Sequence, residues 1–290
     1  MNKGLLFASV CFLGACVVGD EIEDDDEIGA LAGPNARFTI VQHNVEKKQG
    51  PIDQAIDAGK DADAITLQEV CPAQLTALEA LANRKSWTLA SQPVPHASCD
   101  NKTTFPSVVA IWTGGPGGGK DKVPQLGDTA NTPGQMACVS FPFKGVKTHV
   151  CSVKLISTYP EDGAAEAIRR TQTRDLRAYA RNNWFGNRGD FGVIAGDFNA
   201  NVDQKSIDAL YVPAIKNGDG DFTEYNRSGA TRDGRPTAHG NGEDIGPYDK
   251  KVDYVFFSRN RAPLDGPAVT IKATGSDHDM VTSSVMMAKK

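Results

Sequence analysis

Phe191-Gly192-Val193-Ile194-Ala195-Gly196-Asp197-Phe198-Asn199-Ala200 reads as a buried strand that runs out at an acid and an amide. Phe191 to Ala195 is a short apolar run of strand length, and Gly196 ends it. Asp197 and Asn199 have no obvious task in a core. A second stretch near the C-terminus is built alike: Val269 to Ala273 is followed by Ser276-Asp277-His278-Asp279. Acids, an amide and an imidazole at strand ends are the materials of a metal-dependent phosphoryl-transfer site.

Other runs repeat the pattern. Phe38 to Val41 ends at His43-Asn44, and Ala64 to Leu67 ends at Gln68-Glu69. Ser107 to Trp112, Gln135 to Phe141, Lys147 to Ser157 and Val252 to Phe257 read as further strands, with a turn over Pro142 to Gly145. Helices are expected over 51–59, from Pro72 with Leu75, Leu78 and Leu81 three apart, and over 161–184. Ala165, Ile168, Leu176 and Tyr179 mark the apolar face of the last. Strands outnumber helices, and hairpins mix with βα units. That predicts an α+β sandwich of sheets with outer helices, with no internal repeat and no break between domains. Gly114-Gly115-Pro116-Gly117-Gly118-Gly119-Lys120 has the spacing of a phosphate-cradling loop. Asp121 stands where a hydroxyl should hold magnesium, and Val123-Pro124 opens no helix, so a flexible loop is the better reading.

The composition is that of a globular protein: 290 residues, 40% hydrophobic, 23% charged, with a formal net charge of -5. Lys3 and the apolar stretch Leu5 to Ala15, too short to span a bilayer, read as a secretory signal. Leu13-Gly14-Ala15-Cys16 resembles the bacterial lipobox, which implies cleavage before Cys16 and lipidation of its thiol; the alternative is plain cleavage with Cys16 a bystander. Residues 20–27 hold seven acids in eight positions and read as a solvated tether. The expected division is a signal over 1–15, a tether over 16–36 and one folded domain over 37–290. The acidity belongs to the tether, and no strongly basic surface is implied for the rest. Four cysteines fall in the folded part, which in an exported chain suggests disulfides. Cys138 and Cys151 lie on neighbouring β-rich runs and could bridge them, which leaves Cys71 with Cys99. A four-cysteine zinc site is the rival, unsupported by any Cys-x-x-Cys spacing.

Taken in order, Val41-Gln42-His43-Asn44, Leu67-Gln68-Glu69-Val70, Gly196-Asp197-Phe198-Asn199-Ala200, Val252-Asp253-Tyr254 and Ser276-Asp277-His278 resemble the endonuclease/exonuclease/phosphatase superfamily, which includes deoxyribonucleases, abasic-site endonucleases, neutral sphingomyelinases and inositol-polyphosphate phosphatases. The cysteine positions and Arg169 to Leu176 are similar to those of secreted bacterial members. The resemblance spans about Phe38 to Met286 and implies a four-layered α/β sandwich. By motif position it implies Mg²⁺ or Mn²⁺ at Glu69, with Asn44 beside it and Asp277 near metal and water. Asp197 would orient or deprotonate the attacking water. Asn199 would donate to the phosphoryl oxygens. His278 would contact phosphate or act as acid and base, its tautomer fixed by Asp253.

One position departs from the pattern. Lys154, in Ser152-Val153-Lys154-Leu155, stands where such proteins carry a histidine. It keeps a positive charge, but an ordinary pKa of about 10.4 suits proton exchange poorly. Either it serves as clamp or acid in an altered enzyme, or turnover is reduced or lost. His149 should point to the opposite strand face and not replace it. The expected substrate is a phosphoester, nucleic acid first and a sphingolipid or inositol phosphate next, met by a monomer held at the cell envelope through its lipid. A phosphate-binding protein without turnover is the rival class. Arg227, Arg232 and Arg235 either line a nucleic-acid groove or are ordinary surface charge.

Overall fold

A computed structural model describes residues 36–95, 98–99, 104–127, 134–157, 163–185, 189–239, 249–267 and 269–288. The expected signal, Cys16 and the acidic stretch lie outside the described residues.

Two six-stranded sheets face one another. The first has the order β11 (Thr270–Lys272), β12 (Met280–Met287), β1 (Ala36–Asn44), β2 (Ala64–Val70), β4 (Ser107–Trp112), β3 (Thr88–Pro93). The second runs β5 (Gly119–Lys120), β6 (Gln135–Phe143), β7 (Val146–Lys154), β8 (Phe191–Asp197), β10 (Asp253–Ser258), β9 (Phe222–Thr223). Each sheet is built around one parallel pair, β1 with β2 and β7 with β8, flanked by antiparallel strands. A parallel pair needs a crossover, and a helix supplies it each time. Helix α1 (Gln49–Ala58) joins β1 to β2, and α3 (Gly163–Ala180) lies between β7 and β8. Helix α2 (Pro72–Lys85) follows β2 with Pro72 at its first turn.

Strand periodicity sorts the side chains into layers. Phe38, Ile40, Phe141, Phe191, Val193 and Val285 fill the space between the sheets. Trp112 of β4 stacks on Phe141 of β6 there, 4.6 Å between ring centroids, and so joins the two sheets directly. Val41, Ile65 and Val109 point the other way, toward Ile52, Ala55 and Leu78 of α1 and α2. Ile194 and Phe256 pack with Leu176 and Ala180 of α3. The result is helix, sheet, sheet, helix: the sandwich expected from the sequence.

Several details differ from the sequence reading. The β6–β7 turn is two residues long, because Lys144 and Gly145 both take positive φ (49° and 85°), and Pro142 still pairs with Lys147. The buried face of α3 is Ala165, Arg169, Gln172, Thr173, Leu176 and Ala180. Polar residues occupy its middle, and Ile168 and Tyr179 sit at its margin. Strand β12 was not expected. Its inward residues Val281, Val285 and Met287 are interrupted by Ser283 and Ser284, both buried.

Both disulfides are formed. Cys138–Cys151 joins directly facing residues of β6 and β7, with Cα atoms 4.1 Å apart. Cys71–Cys99 pins the start of α2, just past Glu69, to a residue 28 positions along the chain.

Candidate active site

Parallel strands of both sheets end at one edge, and the antiparallel strands beside them begin there. Asn44 closes β1, Lys154 closes β7 and Asp197 closes β8. Asp253 opens β10 directly opposite Asp197, and His278 lies two residues before β12. Loops outside the carboxyl ends of parallel strands are where α/β sheets place ligands.

Local backbone features aim these side chains. Glu69 has φ of 60° and breaks the β2–β4 register between Leu67 and Val70, a bulge that turns its carboxylate to the sheet end. Asn199 also takes a left-handed conformation (φ 47°), and its backbone N–H donates to Asp197 Oδ1 at 2.9 Å. Gly196 sits against the backbone of Val153. A Cβ there would lie 2.0 Å from the Val153 carbonyl oxygen.

Asn44, Glu69, Lys154 and Asp197 form one tight group. The Asn44 amide donates to Glu69 Oε1 (3.2 Å) and to Asp197 Oδ2 (3.1 Å). Lys154 Nζ lies 2.8 Å from Glu69 Oε1 and 2.7 Å from Asp197 Oδ2. Burial alone would push both carboxyls up, but the ammonium holds Glu69 and Asp197 below the usual carboxylate range. The same two carboxylates, working against burial, hold the Lys154 pKa above normal.

Asp253 and His278 form a second unit. His278 Nδ1 meets Asp253 Oδ2 at 2.8 Å, which leaves Nε2 facing Asp197 Oδ2 (4.0 Å) and Asp277 Oδ1 (3.9 Å). Burial disfavours the imidazolium, yet Asp253, Asp197 and Asp277 together push its pKa up to about 10. The ring is therefore a charged donor at neutral pH. Burial pushes the Asp253 carboxyl up.

Behind this unit runs a buried amide relay that the motif reading passed over. Gln42 donates to Asp253 Oδ1 (3.1 Å) and to Gln68 Oε1 (2.8 Å), Gln68 donates to Ser152 Oγ (3.0 Å), and Ser152 donates to the Leu67 carbonyl (2.8 Å). It ties both sheets to the carboxylate that orients His278. The signal was present: Gln42 and Gln68 are polar residues inside strands, each fully buried. Gln42→Met should cost roughly 1–3 kcal/mol by leaving buried partners unpaired. It should also lower turnover with a shift of the alkaline limb of the pH–rate profile to lower pH, because a loosened Asp253 supports the imidazolium less. An unshifted limb would mean that Gln42 only packs.

His43, next to Asn44, belongs to the support rather than the edge. It is fully buried, its Nε2 shares a 2.7 Å hydrogen bond with Thr274 Oγ1, and burial, with the nearby His278 charge, lowers its pKa to about 3. A histidine kept neutral this way gives stability that is complete above its unfolded pKa near 6.5 and is lost as pH falls toward 3. Between pH 6 and 4 the unfolding free energy should fall more steeply for the wild type than for His43→Gln, by up to about 1.4 kcal/mol per pH unit. Urea unfolding at three pH values measures this; parallel curves would remove His43 as the source.

Asp277 is a third exposed (33% of its side chain), and its N–H donates to Glu46 Oε2 at 2.9 Å. Burial and the nearby charges of Glu46, Glu69 and Asp197 push its carboxyl up. One Asn199 amide hydrogen is engaged by the Leu155 carbonyl at 3.0 Å. His149 lies away from the edge, between Asp121 and Asp190 and stacked on Trp184. Arg227 and Arg232 are neither groove nor surface charge: both side chains are buried, paired to Asp265 and Asp208. Of the three arginines only Arg235 is exposed.

The donor set suits a hard cation. Glu69 accepts from the Asn44 amide, and the charges of Glu46 and Glu69 both reach Asp277, so carboxylate oxygens of the kind a hard cation takes lie on this side of the edge. Asp197, Asp253 and His278 also bring one ligand atom each within 4.8 Å. That trio is better described as hydrogen-bonded, since Nδ1 of His278 is already committed to Asp253.

The comparisons agree with this architecture. The human Nocturnin catalytic domain with bound sulfate superposes with a TM-score of 0.61 at 14% identity, covering 87% of this chain and 96% of that one. Truncated Caenorhabditis elegans TDP2 gives 0.61 at 16% identity, with 86% and 97% covered. D. rerio TDP2 complexed with a single-strand DNA product gives 0.58 at 16% identity, with 87% and 99% covered. At these identities the likeness is one of fold. No curated protein sequence matches the chain. The model of the endonuclease/exonuclease/phosphatase family matches residues 40–278, and the chain belongs to that family.

Proposed function

We propose that the chain is a divalent-metal-dependent phosphoesterase of nuclease type, acting on phosphodiesters and, as a secondary class, phosphomonoesters. The carrying observation is the convergence of Asn44, Glu69 and His278 from the first sheet and its loops with Asp197 and Asp253 of the second at a single edge. Glu69, Asp277 and Asn44 would hold Mg²⁺ or Mn²⁺, which when bound supplies Lewis-acid polarisation of a phosphoryl oxygen. Asp197, fixed by Asn44, Lys154 and the Asn199 N–H, orients the attacking water. His278, charged at neutral pH, offers its Nε2 proton to phosphate or leaving group, and Asp253 holds the ring in place. Asn199 has a second amide hydrogen for a phosphoryl oxygen as charge builds there.

Nucleic acid is the substrate class we favour, in line with the DNA product bound by D. rerio TDP2. A lipid diesterase needs an exposed apolar surface for membrane entry. Among the described residues the large exposed apolar side chains are Phe105, in the loop before β4, and Met286, on β12. Lys154 favours a second reading, a phosphate- or nucleic-acid-binding protein of this fold with slow turnover. Export by residues 1–15, lipid anchoring at Cys16, a tether over 16–36 and a monomeric catalytic domain over 37–290 complete the proposal.

Incubation with single-stranded DNA, RNA, sphingomyelin and inositol phosphates, with Mg²⁺ or chelator, tests it. Chelator-sensitive hydrolysis of DNA or RNA that is lost in Glu69→Ala is expected. Binding without hydrolysis would favour the second reading. Hydrolysis untouched by Glu69→Ala would remove the proposed site.

A further inference from the structure

Lys154 places an ammonium between carboxylates that come from opposite sheets. Its Nζ is 2.7 Å from Asp197 Oδ2 and 2.8 Å from Glu69 Oε1, and its side chain is 7% exposed. Facing one another bare, Glu69 and Asp197 would repel, and burial would raise the cost. The ammonium removes that repulsion. A hard divalent ion draws on the same resource, because its affinity rises with the carboxylate charge available to it. Glu69 is therefore claimed twice. A second cation, Lys47, approaches the other oxygen of Glu69 only to 3.8 Å and is 35% exposed, so solvent screens it.

We propose that Lys154 is a resident cation that sets how tightly this site binds divalent metal, by keeping Glu69 in an ion pair that an incoming ion must share. The inference rests on the reading of Glu69 as a metal ligand and adds what this chain does with that ligand. It carries two consequences. Glu69 and Asp197 are held together by groups of the protein itself, Lys154 and the Asn44 amide. Metal affinity is also held low, and removal of the fixed charge raises it.

The test is Mn²⁺ binding to the full chain at pH 7.5, read by the paramagnetic resonance signal of free ion, for wild type, Lys154→Met, Lys47→Gln and Glu69→Gln. Lys154→Met is expected to bind at least about tenfold more tightly than wild type, the equivalent of about 1.4 kcal/mol. Glu69→Gln should bind more weakly, and Lys47→Gln should stay within about twofold of wild type. Mn²⁺ should raise the melting temperature of Lys154→Met more than that of wild type. Unchanged or weaker binding by a folded Lys154→Met would overturn the proposal. If that variant folds only with Mn²⁺, the ion is replacing the ammonium, as proposed. If it folds under neither condition, the wild type decides: a Kd of about 10 μM or tighter overturns the proposal, and weaker binding supports it. The measurement reads metal and not turnover, so a chain that hydrolyses no phosphoester still answers it.

Discussion

His278→Ala should lower phosphoester hydrolysis by roughly two to four orders of magnitude, the usual worth of a positioned acid or base. The ring is held at Nδ1 by Asp253, and its free Nε2 faces Asp197 and Asp277 across about the width of a bound oxygen. The other described histidines are engaged elsewhere: His43 is neutral and bonded to Thr274, His149 is enclosed by Asp121 and Asp190, and the His239 ring is held by Asp249 and Asp279. The variant should still fold, because Asp253 keeps Gln42 as a partner at Oδ1, and its carboxyl, already raised by burial, can take up a proton. Asp253→Asn should lose less, since the ring stays but its charge is no longer supported. Turnover measured beside a melting curve separates the two effects. Wild-type turnover in His278→Ala would sink the assignment. The same residue predicts an alkaline stability limb. With a folded pKa of about 10 against 6.5 unfolded, its contribution is complete below pH 6.5 and is lost as pH rises toward 10. His43 acts in the opposite window, on the acid side.

Gly196→Ala should destabilise the fold by about 3 kcal/mol or more, at the upper end of what overpacking costs. The added carbon would lie 2.0 Å from the Val153 carbonyl oxygen and 2.8 Å from its backbone carbon and nitrogen. All three are main-chain atoms, so no side chain can swing aside. Val153 faces Gly196 in the parallel ladder, and the next rung pairs Lys154 with Asp197. Parting the strands therefore also pulls apart the ion pair that holds Asp197. The protein that remains folded should be less active per molecule, which distinguishes this from a distant destabilising change. Gly50→Ala is the control. It lies in α1 with nothing within 4 Å of the new carbon, and should be neutral or stabilising by up to about 1 kcal/mol. Equal melting temperatures for Gly196→Ala and wild type would contradict the packing argument.

The sandwich and the edge residues were legible because both rest on local signals. Apolar runs of strand length mark the sheets, and an acid or amide at the end of a run marks the edge, as at Gln68-Glu69 and Gly196-Asp197. What was hidden depends on partners distant in sequence. Strand β12 does not look apolar, because Ser283 and Ser284 lie within it; Ser284 is satisfied by Thr39 and Arg37 of β1, some 245 residues away. Helix α3 buries Arg169, Gln172 and Thr173, which a search for apolar spacing passes over. Lys154 was legible as a departure, but its pairing with both Glu69 and Asp197 is a property of two sheets meeting. Arg227 and Arg232 look like surface charge until Asp265 and Asp208 are seen beside them.

The pairing of β1 with β12 also sets how the domain answers force. Ala36 faces Met287 and Gln42 faces Val281, so the first and last described strands lie antiparallel with their outer ends side by side. Tension between those ends loads the ladder as a zipper, one rung at a time, rather than in shear across all rungs at once. The peel would start at Ala36–Met287 and arrive at Gln42–Val281, two residues from Asn44 and three from His278. A pull on the ends of the domain would thus disconnect the Asn44 side of the site from the His278 side while the second sheet was still intact.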